Sequence, residues 1–365
     1  MNNLLRVVTE ASLLAVVASP VLADEPRPVE ATVAQSSNSG VLERTAPEMR
    51  AVIEKLIALG AKPVHTLTPG EARNQPTPAD AASAVFHDRT GKLATPEAIA
   101  KTEDIKIQGV KGDLDARVYW PAGTVVGGKP LPLVVYFHGG GWVIATIDVY
   151  DSSARALANQ SQAVVVSVEY RKGPENKFPA AHNDAVSAYS DILKSAQKWD
   201  ADANRVAIVG ESAGGGLAVA VAMAARDEHL MPPAAIIAVY PIAGKDTSTP
   251  SYVENQNAAP LGKADMEWFF KNYLSSNLDA ADSRIDLVNA NLSALPPITI
   301  IAAEIDPLRS DGELLRDKLK AAGNNVTYQE WNGVTHEFFG MAAVVPQAKA
   351  AQDLAGAQLR KAFEE

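Results

Sequence analysis

The sequence predicts an α/β fold in which helices cover both faces of a mostly parallel central sheet. From about residue 104 onward, apolar runs of strand length alternate with segments of helix length. The central runs are apolar throughout, as strands buried on both faces must be. Hydrophobic residues make up 47% of the chain and charged residues 21%, so a large core can form.

The predicted strands follow from the period and length of these runs. Residues 104–108 and 114–120 alternate in polarity, which predicts an antiparallel pair at one edge of the sheet. Continuous apolar runs predict strands at 131–137, 163–168, 205–209, 234–240 and 298–303, and residues 326–330 predict a last strand. Helices are predicted at 49–59, 148–160, 180–196, 213–228, 311–322 and 342–363.

Two other segments predict a helical cap over the sheet. Residues 61–100 are rich in Pro, Thr and Ala and predict one short helix near 69–73. An insertion at about 245–290 is polar and interrupts the alternation of strands and helices, so we expect it to cover a functional site. The predicted organisation is a signal peptide at 1–23, a linker with N-terminal cap helices at 24–100, and an α/β domain at 101–365 that contains this insertion.

The N-terminus has the pattern of a secretory signal peptide. Arg6 precedes an apolar run at 11–19, and small residues up to Ala23 precede the acidic Asp24. The run is too short to span a bilayer comfortably. We therefore expect cleavage after Ala23 and a periplasmic or secreted protein, with an ordinary apolar N-terminal helix as the alternative interpretation.

Composition limits the partners and cofactors. The net charge is −10, and the chain has no basic cluster with interleaved aromatics, which argues against nucleic acid as a partner. The absence of cysteine excludes disulfides, thiolate metal sites and a cysteine nucleophile. We expect no metal, no organic cofactor and no membrane span. The expected partner is a small-molecule substrate, and the sequence leaves a homodimer open.

A candidate nucleophile lies between a predicted strand and a predicted helix. Strand 205–209 leads into the sequence Gly-Glu-Ser-Ala-Gly at 210–214, and an apolar helix follows. Glycines around a serine suit a sharp strand-to-helix turn that presents the hydroxyl at a helix N-terminus. A helix N-cap in a glycine-rich turn is the structural alternative for Ser212. The strand before and the helix after favour a nucleophile.

A glycine-rich loop follows another buried strand. Strand 131–137 ends in His-Gly-Gly-Gly-Trp at 138–142. Successive glycines let backbone N–H groups approach a substrate and stabilise a developing oxyanion. A phosphate-binding loop is the alternative, but neither the G-x-G-x-x-G spacing nor a Gly-Lys-Ser/Thr sequence is present. The pairing of this loop with the serine turn predicts acyl-transfer chemistry.

The base and the acid follow from chain order. In folds with a serine on such a turn, the order is serine, then acid, then histidine. Of the six histidines, His336 alone lies in a loop after the last predicted strand. Asp306 follows strand 298–303, where a triad acid belongs. Glu304 and Asp311 are rival acids, but the first should still be on the strand and the second should cap the next helix.

Together these motifs resemble those of the bacterial hormone-sensitive lipase-like esterases, a family of the α/β-hydrolase fold. The segment 170–181, Tyr-Arg-Lys-Gly-Pro-Glu-Asn-Lys-Phe-Pro-Ala-Ala, is similar to a further motif of that family, and the resemblance spans about residues 43–345. It implies ester hydrolysis, with the backbone N–H groups of Gly140, Gly141 and Ala213 as oxyanion donors. It also implies that His138 braces the glycine loop.

The sequence departs from the family pattern at three places. Glu211 stands in place of the usual Asp, and Lys172-Gly173 stands in place of Leu-Ala. Glu337 stands in place of Gly directly after His336. Its bulk and charge are expected to raise the pKa of the imidazole or to alter access for the leaving group.

These observations predict a serine carboxylesterase that hydrolyses short- to medium-chain acyl esters. Ser212 would attack the ester carbonyl, with His336 as general base and Asp306 as its partner. Trp142 and Tyr240, both at strand ends, are candidates for the substrate pocket, with a place in the core as the alternative. An amidase or peptidase with the same triad is the second hypothesis, and a non-catalytic binding protein is the third.

Overall fold

The structure is a computed structural model that describes residues 40–125 and 127–364. The predicted signal peptide and the first part of the predicted linker lie outside the described residues. No helix within those two ranges is both long and apolar enough to cross a membrane.

The described residues form one sheet of eight strands in the order β1-β2-β4-β3-β5-β6-β7-β8. Strands β1 and β2 pair antiparallel at one edge, as predicted, and β2 also runs antiparallel to β4. All pairs from β4 through β8 are parallel. The strands are β1 Lys101–Gly109, β2 Gly112–Trp120, β3 Leu131–Phe137, β4 Val164–Val168, β5 Ala201–Glu211, β6 Ile236–Val239, β7 Ile298–Ile305 and β8 Val326–Thr335. The mostly parallel sheet predicted from the apolar runs is confirmed.

Helices cover both faces of this sheet. The helices are α1 Pro47–Ala58, α2 Pro69–Asn74, α3 Pro78–Thr90, α4 Asp151–Ser161, α5 Ala180–Ser195, α6 Ala213–Asp227, α7 Pro250–Glu254, α8 Lys263–Tyr273, α9 Asn277–Ala280, α10 Arg309–Ala321 and α11 Pro346–Glu364. Helices α5, α6 and α10 share a core with Leu133, Val135 and Phe137 of β3. Helices α4 and α11 share another with the alternating residues Val134 and Tyr136. The sheet is therefore buried on both sides, which explains its continuously apolar strands.

The cap consists of two segments distant in sequence, residues 47–90 and 250–280. The sequence predicted one short helix between residues 61 and 100, and the structure contains two, α2 and α3. The prediction missed α3 because its interior is mostly alanine and gives weak apolar periodicity. A capping box between Thr77 and Asp80 begins α3, and Gly91 in a left-handed conformation ends it.

Candidate active site

Ser212 lies at the turn between β5 and α6 with φ 57° and ψ −119°, a backbone conformation that residues other than glycine rarely adopt. Neighbouring backbone holds it there. A Cβ on Gly210 would lie 2.0 Å from the carbonyl oxygen of Gly214, and one on Gly214 would lie 2.0 Å from that of Phe137. The Ser212 N–H donates to the carbonyl of Val239 at 2.8 Å. The two glycines are thus sterically required, and strain of this kind is typical of functional positions.

The structure brings Ser212, His336 and Asp306 together at the carboxyl ends of β5, β8 and β7. His336 Nε2 lies 2.9 Å from Ser212 Oγ, and His336 Nδ1 lies 2.7 Å from Asp306 Oδ2. Asp306 is fully buried, and its other carboxylate oxygen accepts the Leu308 N–H at 2.8 Å. This arrangement can move a proton from the serine hydroxyl to the imidazole while Asp306 fixes the orientation of the ring.

The electrostatics of the site act on the imidazole in opposite directions. Burial by itself lowers the pKa of His336, but the carboxylate of Asp306 outweighs it, and Glu337 and Glu211 add to the rise. The net result is a pKa above the ordinary histidine value. The rise that the sequence led us to expect from Glu337 is present, although Asp306 is the larger cause.

The rival acids have other partners. Glu304 is on β7, as predicted, and its carboxylate accepts the Gly333 N–H at 2.7 Å. Asp311 does not cap the helix, because α10 begins two residues earlier at Arg309. Its carboxylate instead accepts the Ala243 N–H at 2.9 Å, and burial raises the pKa of Asp311 to about 8. Neither acid makes a hydrogen bond with His336 in the described structure.

The glycine loop after β3 lies against the serine turn. Gly140 and Gly141 have φ values of 94° and 57°, in the left-handed region that favours glycine. Both glycines line the same cavity as Ser212. Among the described residues, the amides of Gly140, Gly141 and Ala213 donate no hydrogen bond to another backbone group. These N–H groups are therefore available to an oxyanion.

His138 and Tyr170 support this loop. The His138 side chain is fully buried, and its Nδ1 lies 2.8 Å from the carbonyl oxygen of Gly139. The Tyr170 hydroxyl donates to the carbonyl of His138 at 2.8 Å, and the two rings stack with centroids 4.5 Å apart. Tyr170 comes from the 170–181 motif, so the packing gives that motif a structural role.

Glu211 is part of a buried polar cluster behind Ser212. The hydroxyls of Tyr136 and Tyr240 donate to its two carboxylate oxygens, each at 2.6 Å. Burial raises the pKa of Glu211 to about 7, although the two hydroxyls oppose the rise. Tyr136 could not be predicted as part of the site, because in the sequence a tyrosine inside an apolar strand is indistinguishable from a core residue.

The two aromatic residues proposed for the pocket lie behind its wall. Trp142 is 1% exposed and stacks on Tyr273 with centroids 4.9 Å apart. The Tyr240 ring packs beside the His336 ring with centroids 4.4 Å apart, and the Tyr240 hydroxyl donates a hydrogen bond to Glu211. Neither residue is part of the described cavity lining. Stacking on Tyr273 holds Trp142 in the core, and the hydrogen bond to Glu211 holds Tyr240 there.

Ser212 and His336 line a cavity of about 450 Å³. The floor of this cavity is formed by the strand-end loops that carry Gly140, Gly141, Ser212, His336 and Glu337. The cap forms the opposite wall with apolar side chains, among them Ile53, Leu56, Leu261, Met266 and Phe269. The predicted insertion therefore faces the site, and α1 of the N-terminal segment faces it as well.

Side chains join the two cap segments to each other and to the floor. His65 Nδ1 lies 2.7 Å from Asp265 Oδ1, and Trp268 Nε1 donates to the Leu67 carbonyl at 3.0 Å. A Cβ on Gly141 would lie 2.2 Å from the ring of Phe269. The Phe269 ring of cap helix α8 thus packs directly against the glycine loop.

No group of three or more His, Asp or Glu side chains suited to hold a metal ion occurs within residues 40–125 and 127–364.

Comparisons with known proteins agree with this geometry. Residues 134–340 match the model of a family described as having the alpha/beta hydrolase fold. Carboxylesterase NlhH of Mycobacterium tuberculosis is 38% identical, over 69% of this chain and 79% of the relative. Ethyl acetate hydrolase of Pseudomonas putida is 31% identical, over 78% of this chain and 88% of the relative.

Solved structures of esterases are also similar. The hyperthermophilic esterase from the archaeon Pyrobaculum calidifontis superposes with a TM-score of 0.78 at 34% identity, covering 87% of this chain and 98% of that one. An ester-hydrolase from the metagenome of Lake Arreo, complexed with a derivative of bipyridine phosphonate, has a TM-score of 0.77 at 33% identity. It covers 88% of this chain and all of that one.

Proposed function

The chain belongs to the α/β-hydrolase fold family, in its hormone-sensitive lipase-like group, and is a carboxylic ester hydrolase; from this premise we propose that it cleaves short- to medium-chain acyl esters through Ser212, His336 and Asp306. One observation carries the proposal. A continuous pair of hydrogen bonds links Asp306 to His336 and His336 to Ser212, and the serine opens into the cavity.

The proposed reaction has two halves that use the same groups. Neutral His336 accepts the proton of Ser212 Oγ as the oxygen attacks the ester carbonyl. The N–H groups of Gly140, Gly141 and Ala213 donate to the oxyanion that forms. His336 then gives its proton to the departing alcohol, and an acyl-enzyme remains on Ser212. Water then attacks the acyl-enzyme with His336 as general base, and the acid is released as Ser212 regains its proton.

The size and lining of the cavity support the proposed acyl length. A volume of about 450 Å³ lies in the lower part of the range for small-molecule sites, about 300–1,000 Å³. Its cap wall is largely apolar, which suits a hydrocarbon chain. Acyl groups of short to medium length are expected to fit, whereas long fatty acyl chains are not.

The test is hydrolysis of 4-nitrophenyl esters from acetate to decanoate by the wild type and by Ser212→Ala. The wild type should be most active on an ester shorter than decanoate. The variant should lose a factor of roughly 10⁴ or more in kcat, because the nucleophile is gone. Thermal unfolding checks that the variant is folded. A folded variant with wild-type activity would show that another group attacks, and a preference for decanoate would contradict the proposed chain length.

We also propose export, with removal of residues 1–23. The basic start, the apolar run and the small residues before Asp24 support it. N-terminal sequencing of the protein recovered from the periplasm or medium of an expressing bacterium should begin at Asp24. An intact N-terminus on protein retained in the cytoplasm would contradict the proposal.

A further inference from the structure

Glu337 occupies a position in the active site that its backbone makes unfavourable for a side chain. Its φ is 70°, in the left-handed region that favours glycine. The side chain lines the cavity and is 20% exposed. Its Oε1 accepts a hydrogen bond of 2.6 Å from the Tyr150 hydroxyl, which fixes the carboxylate in the cavity wall. A strained residue held in place beside the catalytic groups calls for a functional explanation.

The carboxylate of Glu337 is not balanced by a Lys or Arg among the described residues. Arg73 and Lys172 on the cavity wall pair with the carboxylates of Glu175 and Glu169. The Asp265 carboxylate accepts hydrogen bonds from the backbone N–H groups of His65 and Gly262. Lys62 also lines the cavity and is exposed to solvent. Within residues 40–125 and 127–364, the only basic group within ion-pair distance of Glu337 is His336, which is neutral when it acts as a base. The resting site therefore presents a net negative charge beside the imidazole.

This charge lies close to the position of the leaving group. Glu337 Oε1 is 3.9 Å from His336 Nε2, the atom that also faces Ser212. To protonate the leaving alcohol, Nε2 must come within about 3 Å of its oxygen. The alcohol oxygen and the carboxylate are then at most about 7 Å apart. A cation two carbon atoms beyond the ester oxygen, roughly 3–4 Å from it, can reach the carboxylate.

We propose that Glu337 makes the enzyme select esters whose alcohol carries a positive charge near the ester oxygen, as amino-alcohol esters do. The inference rests on the proposed function and specifies its substrate class. In a partly desolvated cavity, an unpaired carboxylate attracts a cationic substrate more strongly than it would in water. The neutral isostere of such a substrate leaves the carboxylate unpaired.

The experiment compares butyrylcholine with 3,3-dimethylbutyl butyrate, in which carbon replaces the quaternary nitrogen. The measured quantity is the ratio of the two kcat/KM values at about pH 8, because burial raises the pKa of Glu337 above the ordinary carboxyl value and a higher pH favours the carboxylate. The wild type should favour the cationic ester by about tenfold or more. Glu337→Gln should reduce this ratio at least about fivefold. Glu337→Gly, which also relieves the backbone, should reduce it equally.

Asp317→Asn is the matched control, because it makes the same change in net charge at an exposed acid on α10 outside the cavity. Its ratio should equal that of the wild type. An unchanged ratio in both Glu337 variants would overturn the inference, and so would equal hydrolysis of the two esters by the wild type. Hydrolysis of neither butyrate by a wild type that cleaves 4-nitrophenyl butyrate would overturn the inference alone, whereas a folded wild type that cleaves none of the three esters would overturn the proposed function.

Discussion

The floor and the cap face each other across one cavity, but different contacts hold them. Backbone packed against backbone holds the serine turn of the floor, where a single methyl group on Gly214 would collide with a carbonyl oxygen. Side chains hold the cap, through the His65–Asp265 pair and the bond from Trp268 to Leu67. The difference teaches that local sequence specifies the reaction of this enzyme, whereas contacts between distant segments specify the space available to its substrate.

The largest expected effect is on kcat, and it is tested by replacing one acid in the floor and one in the cap. Asp306→Asn should lower kcat about 10⁴-fold, because the amide cannot hold the required tautomer of His336. Asp265→Asn should change KM by only a few fold and leave kcat near the wild-type value, because it weakens one partly exposed pair. Steady-state kinetics on 4-nitrophenyl butyrate measure both. A loss of kcat in the cap variant comparable to that of Asp306→Asn would break the comparison.

Two glycine variants, one in the floor and one in the cap, compare the stability of the two regions. Gly214→Ala should lower the free energy of unfolding by about 3 kcal/mol or more, because its Cβ would lie 2.0 Å from the Phe137 carbonyl oxygen. Gly70→Ala in α2 should be neutral or stabilise by up to about 1 kcal/mol, because nothing lies within 4 Å of the added Cβ. Urea unfolding measures both. Equal effects would show that the floor can relax around a methyl group.

The smallest expected effect concerns pH. Activity requires neutral His336, so it falls as the pH drops through the pKa of this group, which lies above the ordinary histidine value. Removal of the Glu337 charge in Glu337→Gln lowers that pKa. The acid limb of the kcat/KM profile should therefore move to lower pH, with a roughly twofold or greater gain in relative activity near pH 6.

The matched cap variant is His65→Gln, which removes a titratable group 2.7 Å from Asp265. The acid limb of its kcat/KM profile should coincide with that of the wild type. A shift in this variant, or none in Glu337→Gln, would contradict the assignment of the acid limb to the floor.

The arrangement of Ser212, Asp306 and His336 could be predicted from the sequence because it depends on local features. The serine turn needs glycine on both sides, the acid follows the end of an apolar strand, and the histidine follows the last strand. The strands themselves were predictable because burial on both faces makes them continuously apolar. Each of these features can be recognised from a short stretch of consecutive residues.

The cap and the second layer of the site could not be predicted in the same way. Helix α3 has an alanine-rich interior, and its capping box is a short polar signal within a Pro- and Thr-rich segment. The positions of Trp142, Tyr136 and Tyr240 depend on partners far away in sequence. Glu337 was noticed as a departure, but its hydrogen bond from Tyr150, 187 positions away, is visible only in three dimensions.

The contact between Phe269 and Gly141 has a consequence for how such enzymes can be recombined. The ring occupies the space where any side chain at position 141 would begin, so a cap from a relative could be grafted onto this floor only with a residue at position 269 that fits over a bare glycine. A bulkier or differently placed ring would press on the loop that carries the oxyanion donors. We therefore expect an exchange of the cap to affect the proposed oxyanion loop through this one contact.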